Sequence, residues 1–216
     1  TDASSQVGSG HIMRSLALAQ AWKKQDGYVI FITACENESL RNRITDEGFK
    51  LVKIKESYPA TADFETTIST IKDSPSNKPW VVLDGYHFDD VYQLEIKKND
   101  TSLLVIDDMA HLNHYVADII LNQNINAEAL SYSCEPGSKL LLGTDYVLLR
   151  DEFLTYKNWK RKSPKVAKKM LITMGGSDPD NMSLKILESL NQVDIKGLEI
   201  KVVVGPNNLH LDSLKK

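Results

Sequence analysis

Several features that commonly reveal a function are scarce or missing in this chain. The two cysteines, Cys35 and Cys134, lie far apart and match no metal or redox spacing, which indicates reduced thiols in a cytoplasmic protein. No apolar run approaches the roughly 20 residues that a membrane helix needs, and no signal-peptide pattern is present. The net charge of -3 gives no electrostatic reason to bind nucleic acid or an anionic membrane. We therefore predict a cytoplasmic globular protein with no nucleic-acid partner and no membrane insertion.

The common cofactor and metal motifs are incomplete. Gly8 and Gly10 fit the first two glycines of the dinucleotide fingerprint G-x-G-x-x-G, but Met13 occupies the third position, and no P-loop lysine motif exists. This argues against a nicotinamide-dependent oxidoreductase. The carboxylates and histidines that suggest a metal have no recognised ligand spacing. They are Asp84, Asp107, Asp108, His87, His111 and His114. We predict neither a metal nor a cofactor.

The residues that are present alternate between two periodic patterns. Apolar, β-branched runs predict strands at 28–34, 49–54, 80–84, 103–107, 118–122, 139–142, 168–174 and 198–204. Helical patterns lie at 11–25, 38–47, 63–72, 89–99 and 181–192. Such alternation predicts an α/β protein whose parallel strands are covered by helices on both faces. The first helix is apolar almost all round, which predicts that it is buried against a sheet.

A basic stretch divides the pattern into two units. We predict an N-terminal Rossmann-like domain at 1–149, a linker at 150–167 and the start of a C-terminal nucleotide-binding domain at 168–216. The chain begins in a strand-to-helix turn and ends soon after a strand. We therefore expect a fragment that lacks a short first strand and most of the second domain.

Polar side chains follow several of the predicted strands. In open parallel sheets, ligands bind outside the carboxyl ends of the strands. The polar groups at these ends are Asp84-Gly85-Tyr86-His87, Asp107-Asp108, Asn122-Gln123-Asn124 and Gly175-Gly176-Ser177-Asp178. Together with the opening glycine turn, they predict a single cleft.

The opening stretch QVGSGHIMRSLALA places a glycine turn directly before a helix. Free backbone N–H groups at a helix N-terminus can bind a phosphate or sugar oxygen, although the glycines also suit an ordinary tight turn. His11 lies where the helix dipole disfavours a protonated imidazole, which suits a general base; a cap or a packed residue is the alternative. Arg14 shares its helix face and is a candidate either for binding phosphate or for a salt bridge.

A second glycine turn, MGGSDPDN, follows a later strand. Its Gly-Gly and Asp-Pro pairs are typical of turns, and Asp180 is a candidate cap of the next helix. Alternatively, Gly175 and Gly176 allow the backbone to approach a diphosphate.

Six segments resemble, in their order and spacing, the UDP-sugar hydrolases of pseudaminic acid biosynthesis and the related spore-coat polysaccharide proteins. They are DASSQVGSGHIMRSLALA, VVLDGY, VIDDMA, DIILNQN, LLGTDYVLLRDEF and MGGSDPDN. The resemblance implies a glycosyltransferase-B-like fold, with two Rossmann-like domains facing a cleft and the second incomplete here. It also implies that water attacks the anomeric carbon of a UDP-linked 2,4-diacetamido-2,4,6-trideoxyhexose, with inversion and without a metal.

The resemblance also implies roles for individual residues. His11 matches the proposed general base in the G-H-x-x-R turn, and Tyr86 matches a sugar contact. The D-H-Y-G segment of the family corresponds to Asp84-Gly85-Tyr86-His87, so Gly85 stands where the family has histidine. We predict the remaining contacts as follows. Gly8, Gly10, Arg14, Asn122, Asn124 and Arg150 join Tyr86 in binding the substrate, and Gly175, Gly176 and Ser177 bind the nucleotide.

The sequence leaves two other functions open. A nucleotide-sugar glycosyltransferase on the same fold would bind an acceptor hydroxyl in place of water. A non-catalytic nucleotide-sugar-binding module would need the same loops but no base.

Overall fold

The computed structural model describes residues 1–2, 9–205 and 208–215, and within them the chain is an α/β protein. The strands are β1 (Ile30–Thr33), β2 (Lys50–Lys53), β3 (Trp80–Asp84), β4 (Ser102–Ile106), β5 (Ile119–Asn122), β6 (Lys139–Leu142), β7 (Lys169–Thr173) and β8 (Glu199–Val203). The helices are α1 (Gly10–Lys23), α2 (Glu38–Asp46), α3 (Thr61–Lys72), α4 (Asp90–Lys97), α5 (Asp151–Leu154), α6 (Met182–Leu190) and α7 (Leu211–Leu214). The predicted fold class is confirmed as α/β with parallel strands.

The strands form three parallel groups, which are β1-β2, β3-β4-β5-β6 and β7-β8. In the four-stranded group, Asp84 pairs with Ile106, and Ile106 in turn pairs with Leu121. This register brings Asp84, Asp107 and Asn122 to the same edge of the sheet, because the carboxyl ends of parallel strands coincide.

Two apolar clusters hold these strands in place. One joins α1 to β1, α2 and β2 through buried residues such as Ile12, Leu16, Phe31 and Ile44. The other packs α4 against β3, β4 and β5. The predicted burial of α1 is confirmed for most of its length, but its last turn differs because Trp22 is exposed.

The predicted linker at 150–167 begins with the short helix α5. Its first residue, Asp151, donates its backbone N–H to Gln20 Oε1 at 2.9 Å and accepts from Lys24 Nζ. The start of this segment is therefore attached to the end of α1. Among the described helices, none combines the length and the apolar character that a membrane span requires.

Candidate functional site

Asp84, the last residue of β3, joins the sheet to the first turn of α1. It is fully buried, and its two carboxylate oxygens accept three hydrogen bonds from Arg14 and Ser15. Its Oδ1 also lies 2.5 Å from His11 Nδ1. His11, Arg14 and Ser15 lie on one face of α1, because residues 14 and 15 follow residue 11 by three and four positions. That face meets Asp84 at the end of β3.

The charge on Asp84 determines the tautomer of His11. Burial alone would raise the pKa of Asp84, but hydrogen bonds from Arg14 and His11 and their charges outweigh burial and hold it below the ordinary value of 3.8. An ionised carboxylate can only accept, so His11 Nδ1 carries the hydrogen. Arg14 Nη2 lies 3.1 Å from His11 Nδ1 because both atoms donate to Oδ1. In the neutral form of this tautomer, Nε2 is the ring nitrogen that can accept a proton.

Asp108, which follows β4, collects a second set of donors. Arg14 Nη1 donates to its Oδ2 at 2.6 Å, as does the Tyr86 hydroxyl at 2.8 Å. Asn124 Nδ2 donates to Oδ1 at 3.0 Å. Arg14 therefore connects Asp84 to Asp108, and its pKa is raised because its hydrogen bonds to these carboxylates and their charges outweigh burial. Since two carboxylates take up its charge, its predicted contact with the substrate stays a prediction.

Tyr86 lies at the surface of this cluster and is 41% exposed. Its ring lies edge-on to the imidazoles of His11 and His111, with distances of 5.2 Å and 5.7 Å between the ring centroids. Partial burial and the hydrogen bond to Asp108 raise the pKa of Tyr86 to about 12. The hydroxyl therefore stays protonated at physiological pH, and the exposed ring can contact a sugar.

Among the described residues, no side chain caps the start of α1. Ser9 occupies the N-cap position without a side-chain hydrogen bond, and the first turn contains no acidic residue. A Cβ added to Gly10 would meet no atom within 4 Å, so packing does not require glycine there. Backbone N–H groups and open space at a helix N-terminus suit an anionic oxygen. Gly8, the other predicted contact in this turn, lies outside the described residues.

The second glycine turn differs from the first, because its backbone favours glycine and a side chain caps the helix that follows. Gly175 has a φ of 74°, which favours glycine, and Gly176 lies directly against the backbone of Gly205 after β8. Asp178 accepts from the backbone N–H groups of Met182 and Ser183 at the start of α6. The prediction that Asp180 caps this helix is therefore wrong.

The reason lies in the conformation of the turn. Asn181 adopts a left-handed conformation, with φ at 50°, and Asp178 also has a positive φ, so the chain folds Asp178 back over the helix start. The predicted nucleotide contacts at Gly175, Gly176 and Ser177 stay predictions.

The remaining predicted residues lie around this centre. Asn122 is fully buried, and its amide donates to Tyr132 Oη and accepts from the backbone of Asn124, which orders that residue. Arg150 contacts Glu152 and the ring of Phe153. Their predicted substrate contacts also stay predictions.

His87 fills the space above Gly85. A Cβ added to Gly85 would lie 2.6 Å from His87 Cε1. Burial lowers the pKa of His87, and its Nε2 is buried without a hydrogen-bond partner in the part of the chain that the structure describes, 3.7 Å from Asp2 Oδ2. The imidazole at position 87 thus takes up room that a side chain at position 85 would need.

Sequence reasoning placed Asp84, Asp107 and Asp108 at strand ends but missed the pairing of Asp84 with His11 and of Asp107 with His111. It also missed Ser15, whose only signal is its position four residues after His11. Within the described ranges, no three His, Cys, Asp or Glu side chains are grouped as metal ligands.

Comparison with known proteins gives two relatives, and no protein-family model matches the chain. An uncharacterized protein of Methanocaldococcus jannaschii is 30% identical over 99% of this chain and 43% of its own length. The UDP-2,4-diacetamido-2,4,6-trideoxy-beta-L-altropyranose hydrolase of Campylobacter jejuni is 29% identical over 100% of this chain and 72% of its own length. The chain therefore spans less than half of the first relative. Its similarity to a UDP-sugar hydrolase over its full length supports a related family.

Proposed function

We propose that this protein hydrolyses a UDP-linked 2,4-diacetamido-2,4,6-trideoxyhexose to the free sugar and UDP, in nonulosonic acid or surface polysaccharide biosynthesis. The observation that carries the proposal is the His11–Asp84 pair at the start of α1. The relative in Campylobacter jejuni supports the substrate class through its name. We further propose the glycosyltransferase-B-like arrangement, with domains at 1–149 and 168–216.

His11 is the general base in this proposal. Its Nε2 accepts a proton from water while the water oxygen bonds to the anomeric carbon of the sugar. The bond from that carbon to the diphosphate oxygen breaks, and the electron pair leaves with UDP, which inverts the configuration. Asp84 stabilises the imidazolium that forms and keeps Nδ1 as the donor.

The leaving diphosphate needs hydrogen-bond donors rather than a strong acid, because UDP is already a good leaving group. The first turn of α1, which no described side chain caps, would supply such donors beside Gly10. We propose that the turn at 175–177 contacts the nucleotide, and that Tyr86 and Asn124 contact the sugar from the rim around Asp108.

The test is UDP release by the whole protein from UDP-2,4-diacetamido-2,4,6-trideoxy-β-L-altropyranose, followed by proton NMR. Wild type should release the free sugar with inverted anomeric configuration. His11→Ala should lower kcat by roughly 100- to 10,000-fold, the usual range for a general base. The matched control is His114→Ala, because His114 is exposed and bonds to Ser133 and Glu135, away from Asp84.

Two results would contradict the proposal. Release of UDP only when an acceptor sugar is added would indicate a glycosyltransferase. Unchanged release by folded His11→Ala would remove His11 as the base.

A further inference from the structure

A second carboxylate–imidazole pair lies beside Tyr86. His111 Nδ1 is 2.5 Å from Oδ2 of Asp107, the fully buried residue that follows β4. The His111 ring also meets the ring of Tyr86 edge-on, as the ring of His11 does. Tyr86 therefore contacts two imidazoles, and each is bound through Nδ1 to an aspartate at a strand end.

The two pairs differ in how the carboxylate charge is balanced. Asp84 is neutralised by Arg14. Asp107 accepts from the Tyr115 hydroxyl and from the backbone N–H groups of Met109 and Ala110, all of which are neutral donors. Among the described residues that bond to Asp107, His111 alone can carry positive charge. When protonated, His111 gives Asp107 a charge-assisted hydrogen bond through Nδ1 and presents a second N–H at Nε2.

The loop around His111 is held in a specific conformation. Ala110 has a φ of 52°, an uncommon value for alanine, and its N–H donates to Asp107 Oδ1 at 2.8 Å. The strained residue directly precedes His111 and turns the chain so that Nδ1 returns to Asp107. Local strain of this kind clusters at functional sites. The side chain of His111 is 21% exposed, so a ligand can reach it.

We propose that His111 is a further substrate-binding residue, whose Nε2–H donates to an oxygen acceptor of the UDP-sugar. The inference rests on the proposed function, which makes the substrate anionic and rich in acceptors. The acceptor is either a diphosphate oxygen or an acetamido carbonyl oxygen, since both accept a hydrogen bond from an imidazolium. Asp107 is the positioning residue, because it accepts from Nδ1–H of His111 and so fixes the orientation of the ring.

Direct binding to the whole protein tests this without turnover. Calorimetry in a His11→Ala background, with UDP and with the UDP-sugar of the Campylobacter jejuni relative, compares His111 with His111→Ala and His111→Gln. We expect His111→Ala to weaken binding roughly 10- to 100-fold, the usual loss for a hydrogen bond to a charged group. Equal weakening for both ligands identifies the diphosphate as acceptor, and weakening for the UDP-sugar alone identifies the acetamido group.

The same binding measurements over a range of pH separate the effect of the charge on His111 from the effect of its shape. His111→Gln keeps a neutral donor, so it should bind the ligands more weakly than the parent only while His111 carries its proton. This difference in affinity should disappear as the pH is raised until His111 loses that proton, which NMR of the ring records. Tyr86, Tyr115 and Asp107 are the groups that face this ring. His114→Ala, three residues away, should bind both ligands like the parent.

The outcomes distinguish this inference from the proposed function. Unchanged binding in folded His111→Ala overturns the role of His111 while leaving the hydrolase proposal intact. Binding without UDP release by wild type overturns the hydrolase but not the role of His111. Failure of the parent to bind either ligand overturns both.

Discussion

Helices α1 and α6 both follow a turn that contains glycine, yet the electrostatics of their first turns are opposite. At α1 no described side chain caps the N-terminus, and the first turn contains His11 but no acid, with Arg14 following in the second turn. At α6 the buried carboxylate of Asp178 already occupies two backbone N–H groups. The positive end of a helix attracts anions in both cases, but at α6 the chain supplies the anion itself. Within the described residues, Asp178 thus occupies backbone donors at the start of α6, whereas no side chain does so at the start of α1.

The largest expected effect comes from removing the cation that pairs with Asp84. Arg14→Ala leaves Asp84 buried without its main counter-ion, so we expect the free energy of unfolding to fall by about 3–5 kcal/mol. Urea denaturation measures this loss. Arg14→Lys keeps the charge but not the paired hydrogen bonds, and it should fall between wild type and alanine. An alanine variant as stable as wild type would contradict the ion-pair account.

Acid should weaken the same connection. The pKa values of Asp84 and Asp107 are held below the ordinary value of 3.8 because their hydrogen-bond donors outweigh burial. A lowered folded pKa contributes stability fully above the unfolded value and loses it as the pH falls through the folded value. The free energy of unfolding should therefore fall below about pH 4. This fall should be shallower in Arg14→Ala, and equal slopes would count against the role of Arg14.

At α6 the corresponding change is the removal of the internal anion. Asp178→Ala should lower the stability of this region by about 1 kcal/mol, as expected for a lost helix cap. Hydrogen exchange of the amides of Met182 and Ser183, which Asp178 protects, should accelerate. Asp180→Ala is the matched control and should change neither quantity. A larger effect of Asp180→Ala would indicate instead that Asp180 caps α6, as predicted from the sequence.

Alanine substitutions should have effects of opposite sign on stability at the two glycines. Gly10→Ala places a methyl group in open space on a helix and should raise stability by up to about 1 kcal/mol. Gly175→Ala forces alanine into a φ near 74° and should lower stability by roughly 1–2 kcal/mol. Thermal unfolding measures both. If the α1 turn binds the substrate, Gly10→Ala should also raise KM, and an unchanged KM would remove Gly10 from the site.

The strands and most helices could be predicted from the sequence because apolar, β-branched runs alternate with helical patterns along the chain. The predicted strand at 28–34, for example, contains β1 (Ile30–Thr33). The meeting of Asp84, Asp108 and Asn124 followed from the rule that parallel strands end at one edge.

The finer contacts depend on conformations that residue type does not reveal. The His111–Asp107 pair requires a positive φ at Ala110, although alanine is not a residue that signals such a turn. Asp178 replaces Asp180 as the cap because Asn181 and Asp178 both adopt left-handed conformations. Arg14 was expected to bind phosphate or form a salt bridge, and only the register of β3 and β4 shows two carboxylates within its reach.

The close packing of His87 against Gly85 has a consequence for how this site can evolve. A histidine introduced at position 85 would enter the space of the existing ring, whose Nε2 no described hydrogen bond anchors. The two positions are therefore dependent, and the cost of one substitution varies with the residue at the other. Histidine at position 85 should therefore destabilise the protein less when residue 87 has no ring.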